Sequence, residues 1–363
     1  MLVYHAWTMA RSPRGDGQRN QTASARKSEP TPSRTEGPVP VVVMGLGYIG
    51  QEIARAALQS EEVELIGAVD KSPSISGRKM SDVLGMPAGT FKVQSSLAPA
   101  VQRRQGVVLL HATGSKLPQV KDQILEAISH GMHVVSTCEE LAFPWFNHSE
   151  LADQIDRAAT RGNVSIVGTG VNPGFVLDRL VATLGQVCGE VRHVKAVRIV
   201  DARTRREALQ RKVGAGLTEA EFFALVDQDG LGHVGLVESA ALAALGLGLD
   251  CDDFEEELTP LFADEDIPGG AFLVKKGRVA GIHQTAVGLC EGKELVRLEL
   301  TIAVGAEPPG DTIELDADPP IKLQVPGGIA GDRATANLVI NAAPRVTAAG
   351  RGLLTVLELP AGR

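Results

Sequence analysis

Val41-Val42-Val43-Met44-Gly45-Leu46-Gly47-Tyr48-Ile49-Gly50 decides how this chain is read. An apolar run enters a glycine triplet and leaves it as the amphipathic stretch Gln51 to Leu58. That order predicts strand, tight turn and helix. In such a turn Gly45 lets the chain reverse, Gly47 lets backbone amides approach a pyrophosphate, and Gly50 lets the helix lie close to the strand. The helix start, with Tyr48 and Ile49, then turns unpaired amides and the positive end of its dipole toward the phosphates. A glycine triplet alone is a weak sign. Here a second apolar run, Val63 to Val69, ends in Asp70, twenty residues past Gly50, where a ribose-binding carboxylate belongs. Strand, triplet, helix, strand and acid fall in register, which is the signature of a dinucleotide site.

Working outward, 363 residues with 44% hydrophobic side chains suffice for two domains with real cores. A net charge of -8 gives no basic footprint for nucleic acid. Cys138, Cys188, Cys251 and Cys290 are widely spaced, which suits neither a disulfide framework nor a metal site and fits a reducing cytoplasm. No apolar run reaches membrane-span length; Val234 to Leu249, interrupted by Glu238 and glycines, reads as a buried helix. The expectation is a cytoplasmic protein with no membrane partner.

Residues 1–38 are poor in large apolar groups and rich in Arg, Ser, Pro and Gly, so they are expected to form a disordered leader. Residues 39–176 then alternate apolar runs with helical stretches, as a doubly wound parallel sheet of Rossmann type requires. Its strands are predicted at Val41 to Met44, Val63 to Val69, weakly at Phe91 to Val93, at Val107 to Leu110, at His133 to Thr137 and at Val164 to Val167. Residues 177–330 gather strand-like runs with few crossovers, at Val191 to Val200, Phe272 to Val274, Leu295 to Val304, Thr312 to Leu315 and Ile321 to Val325. They predict a second, α+β domain on an open mixed or antiparallel sheet. Residues 331–363 are expected to add a helix through Asn341, stopped by Pro344, and a tail packing back between the domains.

Ligands of an open parallel sheet bind beyond the carboxyl ends of its strands. After the second strand, Asp70 can accept both ribose hydroxyls of NAD and repel the extra phosphate of NADP. Lys71, Ser72 and Arg78 follow closely and could bind that phosphate, so the sequence leaves NAD and NADP both open. His111-Ala112-Thr113 lies at the next strand end and is assigned to the cofactor, although a lone histidine there is more often structural. Beyond Val135 come Cys138, assigned to the cofactor wall as a small buried residue, and the pair Glu139-Glu140. A strand-end carboxylate facing a nicotinamide can take a proton from substrate and stabilise a forming cation. The same acids equally suit the first turn of a helix, and only one of the two is expected to point inward. Asn172-Pro173-Gly174-Phe175 reads either as a rigid turn or as a wall with Asn172 touching the nicotinamide amide or the substrate.

These segments together resemble the 2,4-diaminopentanoate dehydrogenases and related native amine dehydrogenases, cousins of dihydrodipicolinate reductase. The resemblance rests on Gly45 to Gly50, Leu110-His111-Ala112-Thr113, Glu139-Glu140-Leu141-Ala142-Phe143-Pro144-Trp145, and Gly168 through Asp178. Gly232-His233-Val234-Gly235 and Pro326-Gly327-Gly328-Ile329 extend it over nearly all of the chain after residue 38. It implies oxidative deamination of an amine or amino acid with NAD or NADP, reversible as reductive amination of a ketone or aldehyde with ammonia. It also implies a homodimer, with the substrate and the dimer contact on residues 177–330, a catalytic glutamate from Glu139 and Glu140, and a substrate pocket walled by Phe143, Trp145, Pro173, Phe175 and His233. The cousins' paired-histidine segment with its lysine is missing: Val197 to Arg206 stands there without histidine, which disfavours a lysine-pathway reductase. Arg203 to Lys212 is more basic than the resemblance leads one to expect, so an amino acid and a simple amine both remain candidates. The rival readings are a carbonyl or imine reductase that does not use ammonia, and a non-catalytic dinucleotide sensor.

Overall fold

Two six-stranded sheets carry the molecule. The computed structural model describes residues 37–363 except 102–103, 229, 270–271, 361 and 363. The expected disordered leader therefore lies, up to residue 36, outside the described residues.

The first sheet is built from β1 (Val39–Met44), β2 (Val63–Val69), β3 (Val108–His111), β4 (His133–Ser136) and β5 (Ser165–Gly168). Between them run α1 (Tyr48–Gln59), α2 (Met80–Leu84), α3 (Leu97–Ala100), α4 (Leu117–Ser129) and α5 (Ser149–Arg161). All neighbours pair in parallel, and a strand from the far end of the chain completes the edge next to β5. The continuous apolar runs follow from burial on both faces. Val42, Leu109, Val134 and Ile166 pack under α4 and α5, while Val41, Val43, Leu110 and Val135 face the opposite layer. The strand expected at Phe91 to Val93 is reduced to isolated bridges, Val69 with Gln94 and Lys79 with Lys92. Its backbone groups are divided: those of Val93 go to Gly77 and Arg78, those of Gln94 to Ala68 and Asp70, so no ladder forms.

After α6 (Arg179–Gly185) the chain enters β6 (Glu190–Asp201), then α7 (Glu207–Lys212), α8 (Glu219–Val226) and α9 (Leu236–Leu247). The strands β7 (Asp253–Phe262), β8 (Ile267–Gly269), β9 (Phe272–Val274), β10 (Val279–Cys290), β11 (Lys293–Ala303), β12 (Gly310–Asp318) and β13 (Ile321–Pro326) follow. Their sheet has the order β13-β12-β6-β11-β10-β7, with β6 and β11 parallel and the other pairs antiparallel. The sheet is thus mixed, as expected. Burial alternates along the strands with the period of two that a one-sided sheet imposes: Val194, Ala196, Leu298 and Ala286 are buried, their neighbours half-buried. The inner face rests on α9, whose residues are apolar nearly all round and buried from Leu236 to Ala244.

The chain closes with α10 (Gly331–Ala348) and β14 (Gly352–Leu354). Pro344 does not stop this helix, which runs four residues past it. A mid-helix proline costs about 3 kcal/mol. Burial of Val339, Ile340, Ala342, Ala343 and Val346 on α1 and the first sheet offsets that cost. The tail then adds β14 to the parallel sheet instead of lying only between the domains.

Candidate active site

Strand ends of the first sheet, the inner face of the second and the start of α10 enclose a cleft in two chambers. The smaller, about 300 Å3, is lined by Gly45, Gly47, Asp70, Lys71, Ser72, Gln123 and their neighbours. The larger, about 370 Å3, brings Tyr48, Ile49, Ser115, Thr137, Glu139, Asn172 and Pro173 against Arg198, Arg205, Arg206, Lys212, His233 and Thr335. Gly47, Ala112 and Thr113 line both, so the chambers communicate over the glycine turn.

The turn is built as its glycines predict. Gly45 has φ of +87°, and a side chain there would press on the Ala112 carbonyl and the Thr113 methyl. A Cβ at Gly50 would overlap the Gly45 carbonyl oxygen. Gly47, the N-cap of α1, has open space above it and no side-chain cap, leaving a cradle into which the helix amides point. Asp70 accepts Leu46 N–H through Oδ2 (2.6 Å) and Ser72 N–H through Oδ1 (2.7 Å), which ties the acid to the rim of the turn. A two-chambered cleft astride a capless helix start, with a carboxylate in one chamber, fits a dinucleotide: Asp70, Lys71 and Ser72 would hold its adenosine half, and Gly47, Tyr48 and Ile49 its phosphates.

The structure separates the two glutamates. A 3-10 turn, Glu139–Ala142, follows β4 and sends consecutive side chains in different directions. Glu139 faces the larger chamber, hydrogen-bonded by the Ser115 side chain; burial pushes its carboxyl above the usual carboxylate range, and the Lys212 charge opposes that rise. Glu140 turns away, and its Oε2 accepts Leu117 N–H at the start of α4 (2.6 Å) and bonds His148 Nε2 (2.8 Å). One acid of the pair lines the chamber; the other holds a helix.

Several expected site residues lie elsewhere. His111 is wholly buried behind the cleft, with Nδ1 on Ser136 Oγ (2.8 Å) and Nε2 near Gln123 Oε1 (2.9 Å) and Thr113 Oγ1 (2.8 Å). Burial lowers its pKa to about 4, and its side chain lines neither chamber. Cys138 is buried too, its Sγ donating to the Ser115 carbonyl (3.1 Å), and burial pushes the thiol pKa up. Arg78 is exposed and spends its guanidinium on the carbonyls of Asp82 (3.0 Å) and Ser74 (3.5 Å), outside both chambers. Phe143 and Trp145 pack against each other, centroids 5.8 Å apart, and the 3-10 turn carries them into the core instead of the cleft wall. Phe175 joins the same core, because Gly174, at φ of +120°, turns the chain away from the chamber that Asn172 and Pro173 line.

Asn172 and His233 do meet at the cleft. Asn172 Nδ2 lies 3.2 Å from His233 Nε2, while the buried Asn172 Oδ1 has no hydrogen-bond partner among the described residues. Burial, with Lys212 and Arg198 nearby, lowers the His233 pKa to about 3, so the ring is neutral. Sequence reasoning did not assign Arg198, Arg205, Arg206, Lys212 or Thr335 to the site, and the basic run Arg203 to Lys212 was the signal. Arg198 is paired with Asp311 (2.7 Å), Arg205 with Asp332 (3.4 Å), and the Arg206 guanidinium sits 4.6 Å over the Tyr48 ring.

Comparison with known proteins agrees with this architecture. Residues 175–363 match the 2,4-diaminopentanoate dehydrogenase C-terminal domain and residues 39–138 the dihydrodipicolinate reductase N-terminus. A 2,4-diaminopentanoate dehydrogenase of Acetoanaerobium sticklandii is 30% identical over 339 residues, covering 90% of this chain and 94% of the relative. A 4-hydroxy-tetrahydrodipicolinate reductase of Cyanothece sp. is 30% identical over 153 residues, 40% of this chain and 51% of its own length. The solved amine dehydrogenase of Mycobacterium smegmatis has the same fold, with a TM-score of 0.78 at 22% identity over 91% of this chain and 98% of that one. The chain belongs to the 2,4-diaminopentanoate dehydrogenase family and is an NAD(P)-dependent oxidoreductase.

Proposed function

We propose that the chain oxidatively deaminates an amine, and runs in reverse as a reductive amination with ammonia, with Glu139 as its acid–base group. Overall, an alkylammonium ion, oxidised NAD(P) and one water become a carbonyl compound, an ammonium ion, reduced NAD(P) and one proton. The observation that carries this reading is the position of Glu139: a desolvated carboxylate in the larger chamber, beside Lys212 and across the glycine turn from Asp70.

Bound in the cleft, the nicotinamide supplies the acceptor for the hydride that leaves the amine-bearing carbon. Glu139 takes a proton from the ammonium, freeing the nitrogen lone pair that drives hydride departure. Once that proton has passed to solvent, the carboxylate is charged again and stabilises the iminium cation. Water adds to the iminium carbon, Glu139 carries a proton from that water to the nitrogen, and ammonia departs as the remaining hydroxyl gives up its proton to become the carbonyl. The Asn172 Oδ1, lacking any protein donor, is an acceptor for an N–H of that nitrogen. Arg206 and Lys212 add positive charge to the chamber, which favours an amine that also carries a carboxylate; 2,4-diaminopentanoate, the substrate named for the relative, is the first compound to try.

A second copy of the chain is the partner we propose for the outer face of the second sheet. There Val197, Ile199, Val287 and Thr301 alternate with the buried inner residues and remain half-buried. Sedimentation velocity reads this directly.

The functional test follows nicotinamide absorbance with NAD and NADP against a panel of amines, and in reverse against carbonyls with and without ammonium. Turnover that requires ammonium in the reductive direction supports the reading. Carbonyl reduction that proceeds equally without it replaces amine dehydrogenase by simple reductase, and cofactor binding without any turnover points to a sensor.

A further inference from the structure

Behind the cleft, two polar side chains, Gln284 and Glu256, are wired to the His233 loop. Gln284, on the inner face of β10 and 3% exposed, accepts the His233 N–H through Oε1 (3.0 Å) and donates through Nε2 to the His233 carbonyl (2.8 Å). The same Nε2 donates its other hydrogen to Glu256 Oε1 on the adjacent strand β7 (2.7 Å). One side chain thus takes both backbone groups of a single loop residue, in the way a neighbouring strand would. The loop needs this brace: Gly232 and Gly235 stand at φ of +107° and +100°, so it joins no ladder of its own. It also presses on the site, because a Cβ at Gly235 would lie 3.0 Å from Glu139 Cβ and 2.7 Å from Pro173 Cδ.

The side chain carried by this loop sets the direction of another. A neutral imidazole presents a bare nitrogen to Asn172 Nδ2, and the ring also bonds the Asn172 backbone carbonyl. With its donor end engaged, the Asn172 amide has one way to point, and Oδ1 is left buried at the chamber wall without a partner among the described residues. Glu256 itself forms no ion pair among the described residues, and a buried carboxyl without a cation is a costly way to fill a core. Its value lies in fixing which end of the Gln284 amide is the donor.

We propose that Gln284, braced by Glu256, is a positioning residue: by gripping the His233 backbone it seats the imidazole against Asn172 and keeps Asn172 Oδ1 aimed at the substrate nitrogen. This rests on the cleft being the amine site described above. In Gln284→Ala the loop loses both grips, the ring shifts, and the Asn172 amide is free to turn. Loss of one hydrogen bond to a cationic nitrogen corresponds to a fall of about 10- to 100-fold in kcat/KM. The dinucleotide Kd, read by NADPH fluorescence, stays within about twofold, since Asp70 and the glycine turn lie in the other sheet.

The experiment compares Gln284→Ala, Gln284→Glu, the double variant Gln284→Glu with Glu256→Gln, and Asn172→Ala. Turnover is measured with 2,4-diaminopentanoate and the amine panel, and the His233 ring with 15N-histidine NMR at pH 7.5. Wild type is expected to show one tautomer with a bare Nε2, Gln284→Ala an averaged ring with reduced kcat/KM. The double variant is expected to recover part of the loss of Gln284→Glu, because the amide introduced by Glu256→Gln restores a donor opposite an acceptor. A folded Gln284→Ala with the wild-type tautomer and wild-type kcat/KM overturns the proposal; should it not fold, absence of any recovery in the double variant does so. Wild-type turnover from Asn172→Ala overturns the proposal as well, because Oδ1 then does nothing for the substrate nitrogen, whereas absence of amine turnover in the wild-type protein defeats the amine-site reading itself.

Discussion

Glu139→Gln is predicted to remove turnover while making the fold more stable, and the two effects come from one cause. The carboxylate lies at the wall of the larger chamber, where burial is the largest influence on its pKa and raises it, outweighing the Lys212 charge. A group that the fold holds above its unfolded pKa binds more protons folded than unfolded. The difference in protons bound, unfolded minus folded, is then negative between the two pKa values, so stability falls as pH rises from the ordinary carboxylate range through the raised value. Above that window the ionised side chain is a standing destabilisation, which glutamine lacks. The variant should therefore melt above wild type at pH 8, and the gap should shrink as the solution is acidified. For catalysis, an acid–base group in direct contact with the reacting nitrogen contributes about 10²- to 10⁴-fold, or about 3–5 kcal/mol of barrier at 1.36 kcal/mol per decade. Differential scanning calorimetry at several pH values and initial rates of amine oxidation read both quantities on the same preparation. A variant that keeps turnover within threefold of wild type, or that melts lower at pH 8 than at pH 5 relative to wild type, refutes the assignment of Glu139 as the buried base.

Glu140→Ala should do the reverse, because it strips the Leu117 amide and His148 of their acceptor. Two hydrogen bonds to a charged group give an expected loss of about 3–5 kcal/mol in urea unfolding, with kcat changed only a few-fold in protein that remains folded. Asp70→Ser removes a negative charge from the smaller chamber and should raise the kcat/KM ratio of NADP over NAD by about 10-fold or more, as loss of like-charge repulsion predicts. The same change weakens NAD itself, since Leu46 and Ser72 lose the carboxylate that holds the turn. Gly50→Ala places a methyl on the Gly45 carbonyl, so binding of either dinucleotide should vanish and unfolding should shift by about 3 kcal/mol or more. Pro344→Ala restores a donor in the interior of α10, with an expected gain of about 1–2 kcal/mol in the same unfolding assay.

Where one local signal governs an element, the sequence was readable. The apolar runs of β1 to β5 are buried on both faces, so hydrophobicity alone marks them, and the glycine triplet fixes the turn by sterics no other residue meets. The elements that escaped are those whose fate depends on distant partners. β7 reads Asp253-Phe254-Glu255-Glu256-Glu257-Leu258 and looks like a solvated charge run, yet pairing along β10 and a place beneath Gln284 turn it into a strand with one acid inside. β10 is diluted by Gly281 and Gly288, which are required there because a Cβ at either would strike neighbouring strands or side chains. Pro344 carries a local prohibition that the buried face of α10 overrides. β14 has three residues and pairs with a strand nearly two hundred positions earlier, so no window of sequence contains its cause.

The site divides along the same line, and the division explains why the family blocks were easier to find than their roles. Strand-end position put Asp70, Glu139 and Asn172 at the cleft, because in a parallel sheet that end is where loops open. Direction was not legible, since a 3-10 turn rotates successive side chains by about 120° and sends Glu140 to α4 while Glu139 faces the chamber. Phe143 and Trp145 belong to the same block for a different reason: they anchor the turn in the core, and through it they hold Glu139. The specific letters of Glu-Glu-x-x-x-Pro-Trp therefore specify one chemical group and the scaffold that aims it. The His233 loop has the same anatomy, with two glycines giving its shape and a glutamine fifty-one residues later holding its backbone. In both places the group facing the chamber is a single side chain, and what fixes it is packed in the core, where only the tertiary fold brings it to the site.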